Sequence, residues 1–270
     1  VLFRSAEFNP GAFMRFLPFL AFFLIAISQN FAVRLIYKYS RSEPLVYELV
    51  MDSASSFVSP DSGKRELKMK TIIRLKQELI EADADGNMKI AMTVLDAKQE
   101  VNGVEKPFPS ATNQTQIVRM KENGQVLSTL GQIPGQSADQ NTMQMVFPEL
   151  DIDAGYMWKQ EKDISNPVPI QTQTLYKITE IQGSQVRISS IMKLKNSQGD
   201  SVQAESKGNT IFDAEKGKIV ESQADFKSQF EIPLQVPGLL PNNSKVKVTL
   251  HMKMDIREIK EVKKEGKNEE

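Results

Sequence analysis

The chain has 270 residues, 40% of them hydrophobic and 25% charged, and its 34 basic and 34 acidic side chains leave a net charge of zero. That length fits one large domain or two small ones with a real core, and the neutral balance excludes a general nucleic-acid binder, which needs a basic surface to displace counterions from phosphate. The sequence contains no cysteine, which excludes disulfides, thiolate nucleophiles, Cys-ligated metals and a lipid anchor carried on a cysteine.

In chain order, Met14-Arg15 comes first, followed by an apolar run over 16–27 interrupted by Pro18. A positive start and a short apolar core predict a secretory signal peptide over 14–28. Ala26-Ile27-Ser28 has small residues at the spacing for cleavage after Ser28, and Asn30-Phe31-Ala32 is a second candidate. The run is short for a membrane span of about 20 residues, so no stable span is expected after cleavage. The alternative is an anchor that is retained. Residues 1–13 precede the signal and are expected to be a non-native leader. The expected location is the periplasm or the cell exterior.

Residues 34–39 are a short candidate strand, the start of a first β half over 34–130. Leu45, Tyr47, Leu49 and Met51 then alternate with Val46, Glu48, Val50 and Asp52, the period-two pattern of a strand with one apolar face. The Ser-rich stretch 53–63, with Pro60 and Gly63, predicts a loop. In 64–81, Leu67, Met69, Ile73, Leu75 and Leu79 share one parity, opposite Lys68, Lys70, Arg74, Lys76 and Glu78. Leu67, Ile72, Leu75 and Leu79 would also make a helical stripe. Asp85-Gly86 decides for strand, because it is a hairpin signal and Met88, Ile90, Met92 and Val94 alternate beyond it. Residues 64–95 are therefore expected to form one long hairpin. Residues 101–116 read mostly as loop, 115–120 and 125–130 flank the turn signal Asn123-Gly124, and the polar stretch 131–146 is expected to link the two halves.

The second β half is expected over 147–259. Residues 174–181 and 186–194 flank Gln182-Gly183, Gln198-Gly199 turns the chain again, and 206–212 and 219–230 flank Glu215-Lys216-Gly217. The Gly86 and Gly183 turns, and the Gly124 and Gly217 turns, are offset by similar distances. A duplicated β-meander is one reading; the other is that any antiparallel protein turns at such intervals. Residues 231–243 form a Pro-rich apolar loop. Val246, Val248, Leu250, Met252, Met254 and Ile256 then give the cleanest amphipathic strand, and the charged stretch 260–270 is expected to be a disordered tail. The fold class expected from these patterns is mainly antiparallel β: a long-stranded curved sheet, as a half-barrel or a sandwich.

Residues able to do chemistry are few. His251 is the only histidine and lies on the polar parity of its strand, where a solvated surface residue is the simpler reading. No Gly-x-Ser-x-Gly elbow accompanies it. Asp83, Asp85 and Asn87 have the wrong spacing for a calcium loop and suit turn chemistry. Asp151 and Asp153 beside Gly155 are expected to be solvated. Trp158 with Tyr156 could stack on a sugar ring or base, but a lone Trp in a β protein is more often core. No metal or cofactor is expected.

The residues from Phe147 onward carry a resemblance: Phe147-Pro148, then Gly155 and Trp158, a turn at Gly183, then Gly208, Phe212-Asp213 and Gly217. In these the chain resembles an uncharacterised family of bacterial exported proteins, classed only as a domain of unknown function. The resemblance implies a cell-envelope location and a β-rich fold, and it supplies no catalytic residue. At the level of architecture the chain is also similar to bacterial lipoprotein-carrier half-barrels. A non-catalytic binding module for an apolar small molecule or lipid, or for an envelope protein, is the leading reading. A structural or assembly protein of the envelope is the alternative, and a hydrolytic enzyme is the reading with least support. Within the first, Met145, Phe147, Leu234, Val236, Leu239 and Leu240 are the candidate contacts at the mouth of a site, because exposed apolar loops commonly mark ligand surfaces. The competing reading of the 232–241 loop is that it packs over one end of the sheet.

Overall fold

Each parity pattern becomes a strand, and the strands become one sheet. The structure, a computed structural model, describes residues 32–59, 63–106, 112–131, 144–164, 170–196, 201–233 and 245–260. Among them are twelve strands and no helix: β1 (Leu45–Ser59), β2 (Gly63–Ala82), β3 (Met88–Val101), β4 (Val104–Lys106), β5 (Thr115–Met120), β6 (Val126–Leu130), β7 (Met157–Ile164), β8 (Ile170–Gln182), β9 (Gln185–Asn196), β10 (Ser201–Asp213), β11 (Lys218–Pro233) and β12 (Lys245–Glu258). All pairings are antiparallel, in the order β6-β5-β3-β2-β1-β12-β11-β10-β9-β8-β7, with β4 hooked onto β3. The segments predicted as two halves are thus two meanders of a single sheet, sewn together where β1 pairs with β12.

The two faces of the sheet differ as the alternation requires. Read across the strands, one row runs Ile178–Ile188–Thr210–Ser222–Ile256–Leu49–Ile73–Ala97, and the next Trp158–Tyr176–Ser190–Gly208–Ala224–Met254–Met51–Thr71–Gln99. The opposite face carries charge. At the seam, Glu48 accepts from the guanidinium of Arg257 on β12 and, at 3.4 Å, from that of Arg74 on β2. The Arg257 bond chiefly, and Arg74 after it, hold the Glu48 carboxyl below the usual carboxylate range.

An apolar face this long needs a cover, and the sheet supplies it by curling. The core joins Met88, Ile90, Val118 and Met120 from one wing with Ile178, Val186, Ile188 and Phe212 from the other, and between them lie Leu35, Tyr37, Met145, Phe147 and Ile152. The last five belong to two irregular segments, 33–39 and 144–156, that plug one end of the curl. The plug is bonded to both wings: the Tyr37 amide donates to Glu122 O (2.7 Å) in the β5–β6 turn, and the Lys38 amide to Gly217 O (2.9 Å) in the β10–β11 turn. Tyr37, Phe147 and Phe212 pack with ring centroids 4.8–5.6 Å apart, and each such buried ring contributes roughly 2–3 kcal/mol by burial alone. The ladder ends at β6 and β7, so the sheet remains an open, curved half-barrel.

Three sequence expectations are corrected. Residues 34–39 are not a strand: Val33 makes a single bridge to Ile152, and the amides of Tyr37 and Lys38 go to the turns of the two wings. The loop expected from residue 53 begins later, because β1 continues to Ser59. Ser53 and Ser55 are held between Met69 and Met252 and between Leu67 and Leu250 in the ladders, where neighbouring strands satisfy the backbone whatever the side chain. β11 likewise extends to Pro233, a residue tolerated at a strand end. The hairpin expected over 64–95 is β2–β3. Asp83 shapes its turn by accepting from the amides of Asp85 (3.1 Å) and Asn87 (2.8 Å). The leader and signal over 1–28, the Gln198-Gly199 turn, 132–143 of the linker and 261–270 of the tail lie outside the described residues.

Candidate functional site

The plug fills only the end of the curl where the hairpin turns of 83–87, 121–125, 183–184 and 214–217 gather. Away from it the concave face continues for several rows with no described segment across it. Its floor is built from Leu49 and Met51 on β1, Met69 on β2, and Leu250, Met252 and Met254 on β12, all half-buried. Flexible thioethers adapt to irregular apolar shapes better than branched side chains do. On the β10–β11 wall most concave residues are small, Ala204, Ser206, Gly208, Ala224 and Ser228, with Phe226 the large one among them. A side chain at Gly208 would meet Ser190 Oγ at 2.6 Å and Gln223 O at 3.1 Å, so the wall is kept thin there. Several hydroxyls on this face have protein partners: Ser53 donates to Met69 O (3.4 Å), Thr172 to Lys162 O (3.3 Å), and Thr210 and Ser222 bond each other (2.8 Å). The floor offered to a ligand at Met51, Met69, Leu250, Met252 and Met254 is methyl, methylene and sulfur.

Where plug and trough meet, the β7 edge supplies an aromatic shelf and a cation. Trp158 stacks on Tyr176 (centroids 5.0 Å apart) and donates its indole N–H to Val146 O (2.9 Å). Burial raises the Tyr176 phenol to about 12 and raises those of Tyr37 and Tyr39 well above the ordinary range, so these rings act as neutral packing groups. Two positions further along the same face, Gln160 Oε1 accepts from the Val146 amide (3.2 Å). Next comes Lys162, whose Nζ donates to Gln144 O (3.0 Å). Gln144 reaches across to the other wing, where its side-chain amide lies 3.3 Å from Met120 Sδ. Burial lowers the Lys162 ammonium to about 8.

Of the residues singled out in the sequence, Met145 and Phe147 are buried in the plug, 6% and 2% exposed. Leu234, Val236, Leu239 and Leu240 lie outside the described residues. His251 is on the convex face, its Nε2 3.0 Å from Asp225 Oδ1. It borders a hollow of about 770 Å³ lined by Lys193, Glu205, Lys227 and Gln229 of that face and by Leu194, Ala204 and Leu250 of the opposite parity. Among the described residues no group of three or more acidic or histidine side chains is placed to hold a metal, and no helix is long and apolar enough to cross a membrane. Sequence reasoning passed over Lys162. Its signal was parity: Trp158, Gln160 and Lys162 share a face, so the lysine falls on the side of the aromatic residue.

No family model matches the chain, and no curated protein matches it in sequence. Among solved structures, a lipovitellin, described for its lipid–protein interactions, superposes on 83% of the chain at 10% identity with a TM-score of 0.52, and the chain spans 26% of its length. DynF, from the dynemicin biosynthesis pathway of Micromonospora chersina, covers 84% of the chain and 89% of its own length at 9% identity and a TM-score of 0.21. A LolA-superfamily protein from Nitrosomonas europaea covers 82% of the chain and 90% of its own length at 10% identity and a TM-score of 0.14. The last two share too little geometry to bear on the fold. The lipovitellin match bears on fold alone: the chain is similar to part of that protein in being a large, open, curved antiparallel sheet.

Proposed function

We propose that this protein is a non-catalytic binding module whose concave trough receives the hydrocarbon part of a lipid or similar amphiphile. One observation carries the reading: beyond the plug, the concave rows of a twelve-stranded sheet are lined by half-buried Leu and Met, while the reverse face is charged. Burying apolar area contributes about 25 cal/mol per Å², so a hydrocarbon chain laid along these rows is a favourable occupant. The fold similarity to a structure concerned with lipid–protein interactions supports the reading by analogy of architecture. Export through the signal predicted over 14–28 goes with it, as does membership of the exported family that the chain resembles. The reading is tested with a neutral fluorescent dye, N-phenyl-1-naphthylamine. The protein should bind the dye, and Met252→Lys, which places an ammonium on the trough floor, should abolish binding while Lys253→Glu on the convex face leaves it unchanged. Failure of the wild-type protein to bind the dye, or equal binding by folded Met252→Lys, overturns it.

The alternative, an assembly protein of the envelope, draws on the edge strand β6, where Leu127 and Leu130 are 42% and 70% exposed and the ladder has no further partner among the described residues. A defined oligomer without bound lipid in native mass spectrometry would favour it.

A further inference from the structure

The convex face is not uniform. Across the seam its charges alternate in sign: one row runs Lys207–Asp225–Lys253–Asp52–Lys70–Glu100 over β10, β11, β12, β1, β2 and β3. Followed the other way, onto β9, β8 and β7, the same row reads Ile191–Leu175–Lys159. Ile191 and Leu175 face each other across the β8–β9 ladder, and Met157 lies diagonally from Leu175 on β7. The three are 40%, 45% and 57% exposed, so they form one apolar patch open to solvent. The charged residues nearest to it in register are Lys159, Lys177, Lys193 and Lys207 against Glu161 and Glu205. That is a local excess of positive charge on a chain whose net charge is zero. The two glutamates lie beside two of these lysines, Glu161 2.6 Å from Lys159 and Glu205 3.6 Å from Lys207. Lys177 stands in the row Met157–Lys177–Ser189–Asn209, where no acidic residue flanks it.

We propose that this patch docks the protein on an anionic lipid surface, with Met157, Leu175 and Ile191 entering the interfacial layer while the lysines around them meet the head groups. Charge complementarity favours that occupant, since each lysine held near an anionic membrane strengthens binding about fivefold. Lysine stems also lie along apolar side chains while their ammonium groups stay among the head groups. A protein partner fits less well. A stable protein interface engages roughly 20–30 residues a side and centres on aromatic anchors in packed pockets, whereas this patch is three apolar side chains with no aromatic residue among its neighbours in register. Met157 adjoins Trp158 of the aromatic shelf, so a bilayer held here lies along the β7 margin of the trough. The proposal goes beyond the trough reading and does not rest on it.

The experiment is co-sedimentation with vesicles of phosphatidylcholine alone and of phosphatidylcholine mixed with phosphatidylglycerol. Variants are compared on the same vesicles, so any contribution of the apolar run over 16–27 is common to all. The wild-type protein should bind the mixed vesicles more tightly than the neutral ones, and added salt should shrink the difference. Lys177→Gln combined with Lys193→Gln should lose about fivefold per lysine on the mixed vesicles. Leu175→Thr combined with Ile191→Thr, which puts a good strand former at both exposed sites, should lose about tenfold. Lys70→Gln combined with Lys253→Gln, taken from the alternating row at the seam, should bind as the wild type does. Binding of N-phenyl-1-naphthylamine should be unchanged in all three, which separates docking from the trough. Equal affinity of the wild-type protein for neutral and mixed vesicles, or an equal loss in the seam variant, overturns the proposal. So does undiminished vesicle binding by the folded threonine variant. A salt-sensitive dimer that the threonine variant abolishes, without vesicle binding, makes the patch a protein interface and overturns it as well.

Discussion

Gly124 and Gly217 do the same work on opposite wings. Each turns a hairpin with a left-handed backbone, φ 94° and 63°, and each lets the plug seat against bare backbone. A Cβ at Gly124 would press into the Met145 carbonyl and lie 2.7 Å from the Tyr37 ring; one at Gly217 would meet the Lys38 amide at 2.5 Å and Ile36 O at 2.7 Å. Gly183 has φ 59° but nothing within 4 Å of its Cβ position. The three glycines look alike as turn signals in the sequence and separate only through this contact. Gly183→Ala should cost about 1–2 kcal/mol, the penalty for left-handed backbone alone. Gly124→Ala and Gly217→Ala should cost roughly 2–5 kcal/mol, because overpacking adds to it. Urea denaturation of the three variants checks this; equal losses would mean that the turns do not carry the plug.

At the scale of the element, the β2–β3 hairpin shows what alternation can and cannot tell. Ile90 is 2% exposed within the joint core of the wings. Lys89 faces the other way, across from Glu81 on β2 and Arg119 on β5. Ile90→Lys buries an unpaired ammonium and should unfold the protein, a loss of several kcal/mol. Lys89→Glu meets one charge of each sign and should shift stability by no more than about 0.5 kcal/mol. Loss of the near-UV circular dichroism signal in the first variant alone is the expected result; a folded Ile90→Lys would remove residue 90 from the core. Strands such as β2, β3, β9 and β12 were legible because each has one face in the curl and one in water, so hydropathy alternates. The far end of β1 was not: its inward Ser53 and Ser55 carry no hydropathy signal, and the ladders on both sides hold them in register. Nor was the 33–39 segment, since Leu35 and Tyr37 alternate as in a strand while the amides of Tyr37 and Lys38 go to turns. The floor of the trough was legible as strand parity. Its cation was not, because a lysine in the run from Lys159 to Asp163 looks like any solvated charge until the register puts it beside Trp158.

For the whole molecule, the decisive contacts are those the chain makes across its greatest separations. β1 pairs with β12 from Tyr47 to Val58, a closure of about 200 residues that no local pattern announces and that loop entropy makes slow to form. The plug then ties the two wings that the seam has placed: Tyr37 and Lys38 give adjacent amides to opposite wings, and Phe147 gives its amide to Asn123 O at 2.8 Å. This predicts a molecule that opens in a particular order. Tyr37→Ser keeps the backbone amide but deletes a ring packed on Phe147 and Phe212 and a hydroxyl donating to Met145 O (3.2 Å), a change expected to cost about 3–5 kcal/mol. That loss should fall on the plug and both wings together, because the plug is bonded to the turns of both and packs in their joint core. In native-state hydrogen exchange, the amides of β5 and of the β10–β11 turn should lose protection in parallel, whereas those of β1 and β12 at the seam should keep protection close to the global value, since their ladder does not depend on the ring. A loss confined to one wing would show that the plug belongs to that wing alone. A uniform loss across seam and wings would show that curl and sheet form in a single step, with no separable closure for a ligand to exploit.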